Sequence, residues 1–590
     1  MNSRPSRNET IAYIAAFLLA LALRFLLLGK LTLTDSEASL ALQALQISQG
    51  AKPALASNVA YVNLSAILFF VFGSTNFVAR FVPALVGSFL PLVPALLRDR
   101  LKVRPAVVLA FFLAMDPALV ALSRQAGGPI LAVTFALLAV GFFFRRQSIL
   151  AGIFLGLTLL SGPAFWPGLL GILLAWMLSQ FMSVRKEAGT HVGDYPSAQE
   201  SSIEEAASNS QPASPIPQPP IADSAPFVDY RSLITALLAT LLLASSLFLL
   251  APQGLGAWIA SLPAYLSGWV TPSTVPASRL LLAFGVYQLF AIPFALIAIV
   301  RGWWNGSQRI IRLSLWTMVA LLLALFYPAR QPVDLVWPLL PLWILASLEL
   351  SRHLRILPGD RLETAGVIIF TVLLLAFAWV DFNAMYYTPF PSTQGNTRLY
   401  LFLGAILLLL ASVTLVGYGW SVTIARTGAA WGAAAILGLY TLGAAWGATG
   451  LRNPRAAELW DSSARIAQAD ILAQTADDVS EWATGDPHNL PVLIQGIDSP
   501  ALLWALRFHD PKVVTALDPA SSPALVVTPP QQDPQLAASY RGQDFTWRQY
   551  PVWDSFASFQ IQWFTFHEIP FSSETIILWA RDNLFIDTQP

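Results

Sequence analysis

The chain has 590 residues, of which 55% are hydrophobic and 12% are charged, and its formal net charge is zero. A soluble protein of this size has too little interior to bury so much apolar surface, so the composition predicts a membrane protein. The neutral charge gives no basic footprint for nucleic acid, and the absence of cysteine excludes disulfides and thiolate chemistry.

Long apolar runs dominate two parts of the sequence, residues 1–183 and 231–450. Runs of about 20 apolar residues predict transmembrane helices, because a helix satisfies its own backbone hydrogen bonds in lipid. Clear examples are residues 11–28, 233–250 and 280–300. No small-residue cleavage site follows the first run, so we interpret it as an uncleaved first span rather than a signal peptide.

The basic residues predict the orientation of these helices, since Lys and Arg favour the cytoplasmic side of a membrane. Two arginines place the N-terminus inside, whereas the first loop, residues 30–58, is poorly basic and is predicted to be external. Residues 59–73 and 76–97 look like two spans, but the basic cluster at 98–104 requires an odd number of crossings there. Either 59–73 is partly re-entrant or that cluster is an exception. An odd number gives about 13 spans, with the C-terminus outside.

Two further segments differ from the apolar parts. Residues 184–230 are rich in Pro, Ser, Ala and acidic residues, which predicts a disordered cytoplasmic loop. Residues 451–590 carry charges, turn residues and short apolar segments, which predict a small extracytoplasmic α/β domain. The predicted helices of this domain are 456–482 and 500–508, and its predicted strands are 491–497, 512–517, 523–529 and 574–581.

The stretch TLTDSEASLAL follows the first span and opens the first external loop. Thr34 and Glu37 have the spacing of a capping box, which predicts a helix over 35–49. The apolar residues of this helix share one side, as in a helix that lies along a membrane surface. A capped helix also fixes a carboxylate in place, so Asp35 and Glu37 are candidates for chemistry as well as for capping.

Four longer stretches follow in order: ISQGAKPALAS (47–57), VFGSTNFVARFVPALVGSFLPLV (71–93), MDPALVALSRQAGGPILAVTFALLAVGF (115–142) and YPARQPVDLVWPLLPLWILASLEL (327–350). Together with the acidic pair they resemble the GT-C superfamily of integral-membrane glycosyltransferases. The nearest groups are the family-39 protein mannosyltransferases and the aminoarabinose transferases of lipid A. The resemblance implies an α-helical polytopic membrane protein with a GT-C-like fold, and the C-terminal α/β domain is similar to extensions on some bacterial members.

The resemblance also implies a reaction, in which a sugar moves from a polyprenyl-phosphate donor to an acceptor hydroxyl on the extracytoplasmic side. Members carry an acidic pair in the first external loop, and the matching residues here are Asp35 and Glu37. An attacking hydroxyl needs a base, for which Asp35 is our candidate. The same two carboxylates could hold Mg²⁺ or Mn²⁺ through their oxygens.

Cations near the external face are candidates for binding the donor phosphate, because the leaving lipid phosphate gains negative charge. They are Lys52, Arg124 and Arg330. Asp116 begins a Met-Asp-Pro turn and is interpreted mainly as a helix cap, and Asp334 could position Arg330. Ala51 stands where the aminoarabinose transferases have a glutamate before the lysine.

Two other functions remain open at this point. The protein could be a transporter or flippase for lipid-linked sugars, although most predicted spans have uncharged interiors and we see no clear inverted repeat. It could also be a catalytically degenerate relative whose external domain binds a partner. The polar loop and the absence of cysteine fit a bacterial cytoplasmic membrane, and the acceptor is a protein, lipid or glycan that the sequence does not identify.

Overall fold

The computed structural model describes residues 6–190 and 229–585, apart from residues 56, 357, 389–391, 454, 455, 462 and 554–561, and it describes only the backbone of residues 183–190. Most of the predicted loop 184–230 therefore lies outside the described residues. Helix runs to Thr190, past the predicted end of the first apolar part at 183. Arg, Lys, Glu and Ala occupy positions 185–188, and all four residue types favour helix.

The first apolar part forms a succession of helices. They are α1 Arg7–Phe25, α2 Asp35–Ser48, α3 Val59–Phe72, α4 Asn76–Ser88, α5 Val93–Leu96, α6 Arg98–Leu101, α7 Val103–Met115, α8 Pro117–Ser123, α9 Pro129–Phe144, α10 Ser148–Leu160 and α11 Phe165–Thr190. The predicted capping box is confirmed, because the Thr34 side chain accepts from the Glu37 backbone and the Glu37 side chain accepts from the Thr34 backbone. The helix therefore begins at Asp35, as predicted.

The second apolar part is also helical. Its helices are α12 Tyr230–Ser245, α13 Gln253–Ile259, α14 Ser261–Ser267, α15 Ala277–Tyr287, α16 Ala291–Trp304, α17 Gln308–Phe326, α18 Val336–Leu350, α19 Arg361–Ala384, α20 Thr393–Gly419 and α21 Val422–Ala448. The last three helices expose much of their surface. In α20, only 6% of the most apolar segment is buried. Such a surface suits lipid rather than water.

Eight helices of the described chain are long and apolar enough to cross a membrane, and two bent pairs raise the number to ten. The bent pairs are α7 with α8 and α15 with α16. Four shorter apolar helices are α3, α9, α10 and α12. An integral membrane protein with a helical membrane part is confirmed. Three of the shorter helices would complete the predicted total of about 13 spans, and that total stays a prediction.

The C-terminal part is a separate α/β layer. Its elements are β1 Arg465–Ile466, α22 Ala469–Thr484, β2 Val492–Gln495, α23 Pro500–Ala505, β3 Lys512–Val514, β4 Leu525–Thr528, β5 Tyr540–Pro551 and β6 Phe571–Arg581. They build one sheet in the order β1-β5-β6-β4-β2-β3. The pairs of β2 with β3 and β4 are parallel, and the other pairs are antiparallel. The four predicted strands and the predicted helix after β2 are confirmed.

Two features of this domain differ from the sequence expectation. The predicted helix 456–482 begins only at Ala469. The residues before it are drawn into contacts with distant segments: the Ala457 backbone N–H donates to the His567 carbonyl at 2.8 Å, and Arg465 pairs with Gln549 of β5. The sequence does not predict strand β5. The many polar residues of YRGQDFTWRQYP obscure the alternation of apolar and polar side chains that indicates a strand.

The start of α3 lies beside the loops that precede α9 and α11. The loop before α9 itself lies against α2, since the Ala126 N–H donates to Glu37 at 2.8 Å. A Cβ added at Gly128 or Gly162 would come within 2.4 Å and 2.3 Å of the Asn58 Oδ1 atom, so this side chain packs tightly against both loops. At the other end, α3 stops at Gly73, whose positive φ of 79° suits glycine, and Thr75 caps α4. Ser74 and Asn76 in that turn contact the C-terminal domain, as described below.

Both ends of α3 therefore face the same side as the C-terminal domain, which favours the re-entrant alternative for residues 59–73. The opposite face is marked by Glu9 and Arg98, whose side chains lie 3.3 Å apart. A single crossing between residues 76 and 97 then connects the two faces. This agrees with the odd number of spans that the basic residues require.

Candidate functional site

Asp35 lies at the first position of α2 and contacts the C-terminal domain. Its Oδ1 atom accepts hydrogen bonds from the Ser499 hydroxyl at 2.5 Å and from the Ala501 backbone N–H at 3.1 Å. Its Oδ2 atom accepts from the Arg548 Nε at 2.8 Å. The Asp35 side chain keeps 25% of its surface exposed, so a small group can still approach the carboxylate.

Glu37 lies two residues further along α2 and is 4% exposed. Arg80 donates to both of its oxygens, from Nε at 2.8 Å and from Nη2 at 2.7 Å. The Ala126 N–H donates to Oε1 at 2.8 Å, and the Thr34 N–H donates to Oε2 at 3.0 Å. Burial alone would raise the pKa of Glu37, but Arg80 and these two N–H groups bring it below its ordinary value.

The two carboxylates of the predicted pair are thus differently placed. Glu37 is ionised inside a closed ion pair, and a substrate would reach it only if Arg80 moved. Asp35 is partly exposed where α2 meets the C-terminal domain. The role of Asp35 as the base stays a prediction. The Asp35 carboxylate has a solvent-exposed surface, whereas the Glu37 carboxylate is buried.

Arg80 was not singled out from the sequence, although it lies in the Arg-Phe stretch that carried the resemblance. Besides binding Glu37, it donates to the Leu31 carbonyl at 2.6 Å and to the Thr32 carbonyl at 2.9 Å. Arg80 therefore fixes the chain between α1 and α2. Its signal in the sequence is a lone arginine in an apolar helix, a residue type that is costly to bury unless it is paired.

Arg124 was predicted to bind the donor phosphate, and the structure places it against the end of α1. Its guanidinium donates to the carbonyls of Leu23 at 3.2 Å, Arg24 at 3.0 Å and Leu26 at 2.9 Å. These are carbonyls that a helix end leaves without intrahelical partners. Arg124 thus caps α1, and its role toward phosphate stays a prediction.

Arg330 and Asp334 lie near each other in sequence, but the structure gives each a different partner. Arg330 donates to the carbonyls of Leu325 at 3.1 Å and Val275 at 3.2 Å. Asp334 accepts from the Gln331 N–H at 2.8 Å and caps the short 3₁₀ turn before α18. Within the described chain no ion pair joins Asp334 to Arg330.

Lys52 is exposed in the loop between α2 and α3. Where the structure describes the chain, it forms no ion pair. The guanidinium groups of Arg124 and Arg330 are held by the hydrogen bonds described above. The Lys52 ammonium can turn toward a ligand without breaking any of those bonds.

Asp116 is fully buried at the break between α7 and α8. Its Oδ1 accepts from the Leu119 N–H at 2.8 Å, which confirms the predicted helix cap. Its Oδ2 accepts from the Gln288 amide at 2.8 Å and from the Trp343 indole at 2.7 Å. Gln288 lies at the 90° bend between α15 and α16, so Asp116 connects the two bent pairs.

The C-terminal domain makes further contacts around Asp35. Trp504 of α23 donates to the Asn76 side chain at 2.8 Å, and Arg507 donates to the Ser74 carbonyl at 2.8 Å. The Thr32 hydroxyl donates to the Ile466 carbonyl at 2.9 Å. Helix α2 is therefore enclosed between the membrane helices and the C-terminal domain.

A divalent cation was predicted as a possibility for Asp35 and Glu37. Searching the described residues gives no group of three or more His, Asp or Glu side chains with metal-binding geometry. Arg548 and Arg80 already occupy oxygens of the two carboxylates, so this pair does not fit a cation unless both arginines move. We derive no step that requires a metal.

No protein-family model matches the chain, and no curated protein matches it. Two solved structures match along almost the whole chain. One is ArnT from Cupriavidus metallidurans bound to undecaprenyl phosphate, with a TM-score of 0.54 and 11% identity, and the match covers 98% of this chain and 99% of that one. The other is ArnT in the apo state, with a TM-score of 0.51, the same identity and the same coverage.

The chain shares the GT-C fold of ArnT. The predicted fold is therefore confirmed, and the match extends through the C-terminal domain as well as the membrane part. At 11% identity the likeness concerns the fold. What this fold does here depends on the residues described above.

Proposed function

We propose that this chain is an integral-membrane glycosyltransferase that moves a sugar from a polyprenyl-phosphate donor to an acceptor hydroxyl. The reaction would take place at the extracytoplasmic face of a bacterial cytoplasmic membrane. The observation that carries the proposal is the position of Asp35, a partly exposed carboxylate in the segment that follows α1, in a fold shared end to end with a protein crystallised with undecaprenyl phosphate.

The proposed chemistry needs a base and a cation at the membrane surface. Asp35 takes the proton of the acceptor hydroxyl as the oxygen attacks the anomeric carbon. The bond between the sugar and the lipid phosphate breaks, and the phosphate leaves with the electron pair. Lys52 is the proposed partner of that phosphate because its ammonium is exposed. Arg124 and Arg330 remain weaker candidates, since each is bonded to backbone carbonyls.

A membrane location also suits the donor. A polyprenyl tail partitions into lipid, so the reacting phosphate lies at the interface, where the α2 helix and the loop to α3 are found. The enclosing C-terminal domain would limit access of water to the reacting carbon. Hydrolysis of the donor would then be slower than transfer to a bound hydroxyl.

The test uses the purified full chain in liposomes that contain undecaprenyl phosphate carrying a radiolabelled hexose or aminopentose. A native envelope fraction supplies acceptors, and release of free undecaprenyl phosphate is measured. We expect release with the unaltered chain and its loss in Asp35→Asn. Asp544→Asn, an exposed aspartate of β5, is the matched control and should keep full activity.

Two results would contradict the proposal. Full activity in Asp35→Asn would remove the assignment of the base. Movement of intact labelled donor across the bilayer, without cleavage by any preparation, would instead support the transporter alternative.

A further inference from the structure

The carboxylate of Asp35 is held by groups from a part of the chain more than 450 residues away. Ser499 and Ala501 both donate to Oδ1, and the Arg548 Nε donates to Oδ2. Each carboxylate oxygen has two acceptor positions. Within the described contacts, both positions of Oδ1 are filled and one position of Oδ2 is still free.

Glu37 gives the internal contrast. Its Oε1 accepts from Arg80 and Ala126, and its Oε2 accepts from Arg80 and Thr34, so no acceptor position is left. The remaining position on Oδ2 of Asp35 is thus where an acceptor hydroxyl can donate its hydrogen. Arg548 occupies the neighbouring position on that same oxygen.

An irregularity of the sheet brings Arg548 to this place. The pairing of β5 with β6 shifts between Thr546 and Arg548, so the alternation of side chains is interrupted there. Trp547 and Arg548, although adjacent, both reach the same junction: the Trp547 indole donates to the Ser499 hydroxyl at 3.0 Å, and Arg548 donates to Asp35. Arg548 is further held by the Asp498 carbonyl and by Glu574 at 3.6 Å.

We infer that Arg548 is a positioning residue for Asp35, so that the C-terminal domain supplies part of the active site. Arg548 fixes the orientation of the carboxylate, with the free position of Oδ2 directed to the acceptor hydroxyl. The inference rests on the proposed function. It adds to it a role for the external domain in the chemistry as well as in enclosing the site.

The pair also stabilises the charge of Arg548. Partial burial opposes that charge, but the hydrogen bond and the charge of Asp35 raise the pKa of Arg548 above its ordinary value.

Without the guanidinium, the Asp35 carboxylate keeps only the two donors to Oδ1 and is free to turn away from the acceptor hydroxyl. The chemical step should therefore slow, so kcat should fall. The KM for the lipid donor should not change, because Lys52, and not Arg548, is the proposed partner of the donor phosphate.

The experiment compares four variants of the full chain in the liposome assay. Arg548→Gln keeps a hydrogen-bond donor but removes the ion pair with Asp35, and should lower kcat several-fold while the KM for the lipid donor stays unchanged. Arg548→Lys keeps the charge but changes the geometry, so it should also lower kcat and leave that KM in place. Ser499→Ala removes a neutral donor to Asp35 and should lower kcat without changing KM. Arg541→Met breaks an exposed pair on the same strand, with Asp582 at 2.8 Å, and should change neither quantity.

The outcomes separate the inference from the proposed function. If the unaltered chain cleaves no polyprenyl donor, the proposed function fails and the inference fails with it. If the unaltered chain is active and Asp35→Asn is inactive, an unchanged kcat in Arg548→Gln overturns only the inference. Should Arg548→Gln not fold, Arg548→Lys decides, because unchanged kcat in that variant would show that the guanidinium positions nothing.

Discussion

Among the contacts that join the C-terminal domain to the rest of the described chain, two junctions differ in burial. At the α2 junction, formed by Asp35, Ser499 and Arg548, the ion pair keeps 25% and 20% of its side-chain surfaces exposed. At the α15 junction, formed by Tyr287, Glu458 and His567, the Glu458 and His567 side chains keep only 4% and 9%. A substrate can reach the first junction in the assembled protein, whereas the second opens only if the domain moves away.

Burial decides what each junction contributes to stability. The Tyr287 hydroxyl donates to Glu458, and the His567 Nδ1 lies 3.0 Å from the same carboxylate oxygen. Burial alone would raise the pKa of Glu458, but His567 and Tyr287 bring it below its ordinary value. Glu458 is therefore a buried charge that depends on its partners. We infer that the α15 junction anchors the domain and that the α2 junction aligns the site.

Removing the carboxylate at the α15 junction should have the largest effect on stability. Glu458→Ala leaves the Tyr287 hydroxyl and the His567 imidazole buried without their acceptor, and loss of one partner of a buried pair costs about 3–5 kcal/mol. The apparent melting temperature of the full chain in detergent should fall strongly at neutral pH. Because the pKa of Glu458 is lowered by folding, its contribution is present above the ordinary pKa of the carboxyl and is lost as the pH falls through the lowered value.

Glu481→Ala is the control for this prediction, since Glu481 is an exposed residue of α22. A melting temperature of Glu458→Ala equal to that of the control would show that the α15 junction does not anchor the domain. A difference from the unaltered chain that is the same at neutral and acidic pH would contradict the assignment of an ionised Glu458.

A smaller difference is expected between the two carboxylates of α2. Glu37→Gln keeps an acceptor but removes the charge that Arg80 needs, and a buried hydrogen bond to a charged group contributes about 1.5–3 kcal/mol. Asp35→Asn weakens a partly exposed pair, and exposed pairs contribute about 0–1 kcal/mol. Glu37→Gln should therefore melt at a lower temperature than Asp35→Asn, while Asp35→Asn should lose more activity. The reverse order in melting would mean that the α2 junction, and not the Arg80 pair, holds the external helix.

The sequence predicts those parts of this arrangement that depend on local spacing. The capping box of Thr34 and Glu37 lies within four residues. The short strands of the C-terminal domain are recognised from the apolar residues within each strand. The apolar runs and the ordered motifs likewise indicated a GT-C-like membrane protein, and the match to ArnT confirms that fold.

The contacts that define the site are not local, and no pattern of spacing contains them. Glu37 and Arg80 are 43 residues apart in the chain, and Asp35 and Arg548 are 513 apart. The same reason explains the misplaced start of α22. Residues 456–468 have helical apolar spacing, but Glu458 and Ala457 gain partners in the α15 junction that a helix there would deny them. Tertiary contacts then override local propensity.

The smallest effect is expected from Asp461, which lies beside the α15 junction. Burial raises the pKa of Asp461 to about 6, with the charge of Glu458 acting in the same direction against Arg465 and Arg279. The folded state thus holds the proton more tightly than the unfolded chain, so stability is greatest below the ordinary pKa of the carboxyl and falls as the pH rises through about 6. Asp461→Asn removes this penalty and should stabilise the protein by the order of 1 kcal/mol at pH 7.5.

The measurement is the difference in apparent melting temperature between Asp461→Asn and the unaltered chain at pH 7.5 and at pH 4.5, with the exposed Asp544→Asn as control. The gain should be smaller at the lower pH than at the higher one, and opposite in sign to the effect of Glu458→Ala. An equal gain at both pH values would mean that Asp461 is ionised in the folded protein. Glu458 and Asp461 would then both be charged in the folded protein. The hydrogen bonds from Tyr287 and His567 would have to stabilise the buried Glu458 without help from a neutral Asp461.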